Sequence, residues 1–443
     1  MSDTSTAPMM VNAFDPAKAV NLSASERDIL ERRARTLGSG YRLFYERPVH
    51  FVRGEGAWLY DGEGQAYLDV YNNVASVGHS HPHIVAALSR QAGILNTHTR
   101  YLHDSILNYS ERLLATMPEE IGRVMFTCTG SESNDLAFRI AQTVTGGHGV
   151  VVTQTAYHGV TNAVSAFSPS LGEGVPLGAH VRTVAPPDHY RFGPEAGAKF
   201  AESVAAAFAD LKRHGVKPAA IFCDTIFSSD GVFAEPVGFL RDVVEATHAA
   251  GALFVADEVQ AGFGRTGAGL WGFSRHGVVP DIVTTGKPMG NGHPMGGVFA
   301  KTDIIDAFGR AARYFNTFGG NPVSCEVGMA VLDVIENENL IDNARDVGAH
   351  LRQGLEALAK KFPAIGDVRG AGLFLGVEMI RPASDKAPDA ELASQLVNAL
   401  REQRILISAT GPLANVLKVR PPLVFTVSQC DIVIAALAGL LAQ

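Results

Sequence analysis

Two charged residues thirty positions apart restrict what this chain can be. Asp257 ends the apolar run Ala252–Leu253–Phe254–Val255–Ala256, and Gly286–Lys287–Pro288 follows the run Ile282–Val283–Thr284–Thr285. Both runs are short and apolar or β-branched, so both read as buried parallel strands. The segment between them holds Gly262–Phe263–Gly264–Arg265–Thr266–Gly267, which is loop chemistry. Each charge therefore stands at the C-terminal end of a strand, where open α/β sheets bind ligands. An acid there can keep a pyridine nitrogen protonated, and a lysine there can form a Schiff base with an aldehyde. Pyridoxal 5′-phosphate needs that pair. A buried Asp–Lys ion pair between neighbouring strands would leave the same pattern.

The chain has 443 residues, the length of two or three domains. It is 46% hydrophobic and only 19% charged, a profile that fits a well-buried enzyme and excludes a disordered chain. The net charge of −8, with no basic run, argues against a nucleic-acid partner. No apolar stretch approaches the length of a membrane span, and the N-terminus lacks a charged region followed by an apolar one. Cys128, Cys223, Cys325 and Cys430 are far apart, with no metal-binding spacing. They read as reduced thiols of a cytoplasmic protein, and no metal site is expected.

Ser23-Ala-Ser-Glu26 has capping-box spacing and predicts a helix to about Leu37. Val49–Val52, Ala57–Tyr60 and Ala66–Val70 read as short antiparallel strands, and Pro82 to about Gln91 as a helix. From about residue 105, helical periods alternate with strands at Val124–Phe126, Val150–Thr153, Ala220–Cys223, Leu253–Ala256, Ile282–Thr285 and Gly297–Ala300. That alternation predicts a mostly parallel sheet with helices on both faces. A long helical region is expected from about residue 325 to Phe362, then a strand at Gly372–Ile380. A helix near Asp389–Glu402 with Asp389 as N-cap comes next, then strands near Ile405–Ser408 and Val416–Val419, and a last helix from Val427. The implied layout is a disordered tail over residues 1–20, a small-domain segment over 21–75, a large domain over 76–325, and the rest of the small domain over 326–443.

Further residues stand where strands end. Thr129-Gly130-Ser131 precedes a helix from Glu132 to about Val144, so free N–H groups and the Ser131 hydroxyl could hold a phosphate; an ordinary N-cap reads the same way. Tyr157 follows the strand Val150–Thr153 and could lie on a cofactor ring, or be a core aromatic. Asp224 follows Cys223, Gln260 lies three residues past Asp257, and Thr317 precedes the turn Phe318-Gly-Gly-Asn-Pro322.

From about residue 40 to its end the chain resembles the class III aminotransferases, a branch of the fold-type I pyridoxal-phosphate enzymes. The motifs carrying the resemblance include Asp69-Val-Tyr-Asn-Asn-Val-Ala-Ser-Val-Gly-His-Ser-His-Pro82, Thr129-Gly-Ser-Glu-Ser-Asn134 and Ala156-Tyr-His-Gly159. They continue with Ala256-Asp-Glu-Val-Gln-Ala-Gly-Phe-Gly-Arg265, Thr285-Gly-Lys-Pro-Met-Gly-Asn-Gly292 and Asn316-Thr-Phe-Gly-Gly-Asn-Pro322. The resemblance implies an α/β fold with a mostly parallel seven-stranded sheet and a smaller α+β domain built from both chain ends. It implies that Lys287 forms the Schiff base and moves the α-proton, that Asp257 pairs with the ring nitrogen, and that Tyr157 stacks on the ring. Gly130 and Ser131 would hold the phosphate from one subunit and Thr317 from the other, in a homodimer at least, with Gln260 near the phenolic oxygen.

The reaction is less constrained, because the same parts serve transamination and elimination. Many class III transaminases carry a Glu-Pro pair where this chain has Asp224-Thr225. In several relatives an arginine for the α-carboxylate stands at the position of Lys418. Lysine gives up the bidentate fork but keeps a point charge suited to phosphate. Within the family the chain is most similar to the ethanolamine-phosphate and phosphohydroxylysine phospho-lyases, over Asn96-Thr-His-Thr-Arg-Tyr-Leu-His-Asp104, Gly286-Lys-Pro-Met-Gly-Asn-Gly-His-Pro294, Asn321-Pro-Val-Ser-Cys325 and Asn415-Val-Leu-Lys-Val-Arg-Pro-Pro422. That similarity implies elimination from an amino-alkyl phosphate, with transamination of an amine or omega-amino acid as the alternative. Arg42, Arg100, Lys418 and Arg420 are the candidate phosphate ligands, or structural charges. A ligand sensor fused to a DNA-binding domain does not fit, since the segment before residue 40 is short and the net charge has the wrong sign.

Overall fold

The computed structural model describes residues 12–18 and 22–443. Of the tail expected over residues 1–20, residues 1–11, 19 and 20 lie outside the described residues. Residues 12–18 do not behave as a free tail. Phe14 N donates to Leu43 O at 2.8 Å, Tyr45 N donates to Asn12 O at 2.7 Å, and Ser408 Oγ donates to Asn12 Oδ1 at 3.0 Å.

The N-terminal strands β1 (Phe51–Glu55), β2 (Trp58–Asp61) and β3 (Ala66–Asp69) form an antiparallel meander. The central strands are β4 (Arg123–Thr127), β5 (Gly149–Thr153), β6 (Val181–Val184), β7 (Pro218–Asp224), β8 (Leu253–Asp257), β9 (Ile282–Thr285) and β10 (Gly296–Ala300). They make the seven-stranded sheet in the order β4-β10-β9-β8-β7-β5-β6, and β10 runs antiparallel to both neighbours. The C-terminal strands are β11 (Ile365–Ala371), β12 (Phe374–Met379), β13 (Ile405–Leu406), β14 (Ser408–Thr410) and β15 (Val416–Val419). Four of them form an antiparallel sheet, β11-β12-β15-β14, while β13 adds parallel to β3, so the two ends of the chain share one sheet.

The central strands read as unbroken apolar runs because both faces are covered. Val150, Val152, Phe222, Val255 and Ile282 enter one core with Phe138 and Phe167. Their neighbours Val151, Ile221, Phe254, Ala256 and Val283 enter the other. Alternate side chains leave a strand on opposite faces. Truncating Phe222, buried in the first of these cores, to Ala would cost about 3–5 kcal/mol.

Local signals explain most element boundaries. Ser23 and Glu26 form the capping box of helix Ala24–Leu37, and the Asp389 side chain accepts from Leu392 N ahead of helix Ala390–Glu402. The helix expected from Glu132 starts at Gly130, because Thr129 caps it by accepting from Glu132 N. The single helical region expected after residue 325 is two helices, Pro322–Asn337 and Leu340–Lys361. Asn339 breaks them at a φ of 53°, in the left-handed region that asparagine tolerates better than most residues. The strand expected from Gly372 is the second arm of a hairpin. Gly372, at a φ of 54°, makes its turn where a Cβ would lie 2.5 Å from the Thr266 carbonyl carbon.

Candidate active site

Three parallel strands bring their ends together. Asp224 on β7 is in register with Asp257 on β8, and Asp257 is in register with Thr284 on β9. Lys287 follows three residues later, at the start of a short 3₁₀ turn. Gly130, Ser131, Tyr157, Asp224, Asp257, Gln260 and Lys287 all line one cavity of about 270 Å³.

Asp257 is buried, and hydrogen-bond partners surround its carboxyl group. Asn134 Nδ2 donates to Oδ2 at 2.8 Å, His158 Nδ1 lies 2.7 Å from the same oxygen, and Val259 N donates to Oδ1 at 3.0 Å. Thr284 Oγ1 donates to Asn134 Oδ1 at 2.7 Å, which orients the amide. No ion pair joins Asp257 to Lys287 among the described residues, so the buried salt bridge that the spacing also allowed is not what the strands build. The Lys287 ammonium instead lies 5.9 Å from the centre of the Tyr157 ring. Burial, with the nearby Arg420 charge, lowers the Lys287 pKa and favours the neutral amine.

The helix Gly130–Thr145 aims its N-terminus into the cavity. Its first N–H groups belong to Gly130 and Ser131, and such groups with the helix dipole attract an anion. Glycines make the approach close. A Cβ on Gly286 would sit 2.8 Å from Gly130 N, and one on Gly159 would sit 2.5 Å from Ser131 Oγ. Ser131 Oγ accepts from Val160 N at 3.1 Å, so its own proton remains to be donated. On the opposite wall Gln260 Oε1 accepts from Asn73 Nδ2 at 2.7 Å and from Arg420 Nη1. That assigns Gln260 Nε2 as a donor.

Lys418 and Arg420 come from β15 and the residue beyond its end. Both are buried, and neither forms an ion pair among the described residues. Arg420 Nε donates to Tyr71 O at 3.0 Å, and its guanidinium lies 4.8 Å from the centre of the Tyr71 ring. Burial, reinforced by the Arg420 charge, pushes the Lys418 ammonium down to about 7. Burial and the neighbouring Asp257 charge raise the pKa of Asp224, whose oxygens accept from Ile226 N at 3.1 Å and Ser228 N at 2.9 Å.

Lys418 and Arg420 do not themselves line the cavity; Arg420 reaches its wall through Gln260. Arg42 and Arg100 are exposed and do not line the cavity, and Arg100 lies 3.8 Å over the Phe315 ring. Thr317 is exposed on a loop outside its own chain's cavity. Sequence pattern gives no role to Asn134 or His158, although they lie in the motifs Thr129-Gly-Ser-Glu-Ser-Asn134 and Ala156-Tyr-His-Gly159. It also passes over Glu258, a buried acid raised to about 7 by burial. Glu258 accepts from Thr225 Oγ1, Gly272 N and Phe273 N, and so closes the loop after β8.

The aminotransferase class-III family model matches residues 44–441. A Drosophila melanogaster protein named alanine–glyoxylate aminotransferase 2-like is 39% identical, over 93% of this chain and 87% of its own length. A Caenorhabditis elegans protein named ethanolamine-phosphate phospho-lyase homolog 1 is 35% identical, over 90% of each. Among solved structures, a phospholyase from Arthrobacter in complex with phosphoethanolamine is 42% identical with a TM-score of 0.91, covering 94% of this chain and all of the other (100%).

Proposed function

The chain belongs to the aminotransferase class-III family, and from this premise we propose that it is a phospho-lyase that removes phosphate and ammonia from an amino-alkyl phosphate such as ethanolamine phosphate. The family's cofactor is pyridoxal phosphate, and the residues present fit it. A glycine-lined helix N-terminus suits the phosphate, a buried carboxyl group held by Asn134 and His158 suits the ring nitrogen, and a lysine without an ion pair lines the same cavity. When bound, the cofactor supplies an aldehyde for amines and an electron sink for the adjacent carbon.

The chain's own groups then have distinct tasks. Gly130 and Ser131 hold the phosphate dianion by backbone N–H groups and a hydroxyl. Asn134 and His158 fix Asp257, which would pair with the ring nitrogen of the bound cofactor. Tyr157 would cover the ring, and Gln260 Nε2 would donate to the phenolic oxygen. Lys287 would hold the cofactor's aldehyde carbon and, once freed by a substrate amine, would take the proton from the carbon bearing nitrogen. The carbon–oxygen bond on the next carbon breaks, and its electron pair leaves with phosphate. Hydrolysis of the released fragment gives an aldehyde and ammonia.

One observation carries this reading: Lys418 and Arg420 are buried cations with no carboxylate partner. Unpaired buried charge is costly, and a phosphate dianion between them would offset that cost. The names of the C. elegans relative and the Arthrobacter structure point the same way. Transamination is the second reading. Its support is the name of the Drosophila relative and the Arg420 guanidinium, whose Nη2 keeps a free edge for a carboxylate.

The deciding experiment is incubation of the cofactor-loaded protein with ethanolamine phosphate and no keto acid. Sustained release of inorganic phosphate, ammonia and acetaldehyde supports the lyase. Turnover that stalls until pyruvate or another keto acid is added favours the transaminase.

The reading includes a homodimer with shared sites, in which Thr317 of one protomer reaches its partner's cavity. Ile94, Tyr101, Leu102 and Phe318 support it, since all four are large, largely apolar and exposed in the single chain. Among the described residues no helix is long and apolar enough to cross a membrane.

A further inference from the structure

Ser324 is buried in the first turn of helix Pro322–Asn337, and its hydroxyl meets two side chains. Asn321 caps the helix: its Oδ1 accepts from Ser324 N at 2.9 Å, which assigns Nδ2 as the donor. That Nδ2 lies 2.8 Å from Ser324 Oγ and 2.5 Å from Phe318 O. Ser324 Oγ therefore accepts from Asn321 and keeps its own proton and a second lone pair. His293 Nε2 lies 2.8 Å away, hydrogen-bonded to that hydroxyl. Burial lowers the His293 pKa, in agreement with a neutral ring.

His293 lies in the same loop as Lys287 and lines the cavity. On the other side of Thr317, Asn316 Oδ1 accepts from Phe318 N at 3.1 Å and Gly319 N at 2.9 Å. Asn316 Nδ2 donates at 3.3 Å to Glu132 Oε2, in the first turn of the helix that presents Gly130 and Ser131. The Thr317 segment is thus tied at both ends to its own chain's cavity.

We propose that His293 and Ser324 are positioning residues that hold the Thr317 segment for the partner's cofactor site, so that the loop carrying one protomer's Lys287 braces the phosphate contact of the other. The inference rests on the shared-site reading above. It assigns a role to the Gly292-His-Pro294 stretch, which the chemistry at Lys287 leaves unused.

The test uses heterodimers of two differently tagged chains, one of them carrying Lys287→Ala. Only the other chain's lysine then gives the visible absorbance of bound cofactor, and titration with pyridoxal phosphate reads its affinity. Adding His293→Phe to the Lys287→Ala chain should weaken binding at the intact site about tenfold, the effect of one lost positioning hydrogen bond. Ser324→Ala, which removes a single oxygen, should do the same if His293→Phe fails to assemble. His293→Gln, whose amide oxygen can accept from Ser324, should restore affinity. Unchanged affinity with His293→Phe and Ser324→Ala, while Thr317→Ala in the same chain weakens binding, overturns the inference alone. No effect of Thr317→Ala overturns the shared-site reading, and the inference with it.

Discussion

His158 Nδ1 lies 2.7 Å from Asp257 Oδ2, while His158 Nε2 is buried without a hydrogen-bond partner. A carboxylate only accepts, so Nδ1 carries a proton, and the ring packs beside Phe167 and Phe222. Asn134 and His158 thus fix the position of the Asp257 carboxyl group. Asp257→Ala should lower turnover by roughly 10³-fold while cofactor stays bound through Gly130 and Ser131, because the interaction strengthens as charge flows into the ring. His158→Phe should cost roughly tenfold. Steady-state rates and the absorbance of bound cofactor would check both, and near-normal turnover of Asp257→Ala would show a structural acid.

Lys287 is the one lysine expected to carry the cofactor. Borohydride treatment followed by peptide mass spectrometry should find the pyridoxyl group there. Lys287→Ala should lose activity by several orders of magnitude, since it removes both the exchange partner and the general base. Labelling of another lysine would overturn the assignment.

Lys418 gives the clearest pH dependence. Its pKa falls from 10.5 to about 7 on folding, chiefly through burial. Between these values the unfolded chain holds a proton that the folded chain has lost, so stability rises with pH through that window and is penalised below about 7. Lys418→Met should therefore raise thermal stability at pH 6 by roughly 1–3 kcal/mol and change little at pH 10. Substrate follows the opposite sign. Affinity for ethanolamine phosphate should fall as pH rises through 7 in the wild type, and Lys418→Met should flatten that fall. Calorimetry and KM measured against pH would check each.

Leu102, wholly exposed in the single chain, stands beside exposed Tyr101. Leu102→Asp should shift the protein toward monomer and, with it, weaken cofactor binding. Light scattering with absorbance would show both changes together. A monomer that keeps stoichiometric cofactor would contradict the shared site.

The parts of the fold legible in the sequence are those where local pattern and burial agree. Ile282–Thr285 and Val416–Val419 have the expected ends because every residue of each is buried. β6 was missed because Arg182 and Thr183, half-buried in its middle, interrupt the apolar run. The break at Asn339 was missed because helical periodicity continues across it and only a single backbone angle marks the turn. The strand-end rule brought Asp224, Asp257 and Lys287 together correctly. It could not supply Asn134 or His158, whose contacts to Asp257 span 123 and 99 residues. Nor could motif matching tell that Arg100 turns toward Phe315, since spacing carries no side-chain direction.

Asp257 and Lys287 ride on the seven-stranded sheet, while Lys418 stands on β15 of the antiparallel sheet and Arg420 just past its end. In the proposed reading, the electron-handling half of the site and the half that would choose a substrate therefore descend through separate scaffolds. A lineage can exchange Lys418 or Arg420 for other side chains, and so trade phosphate for carboxylate, without disturbing the strands that make the bond-breaking possible.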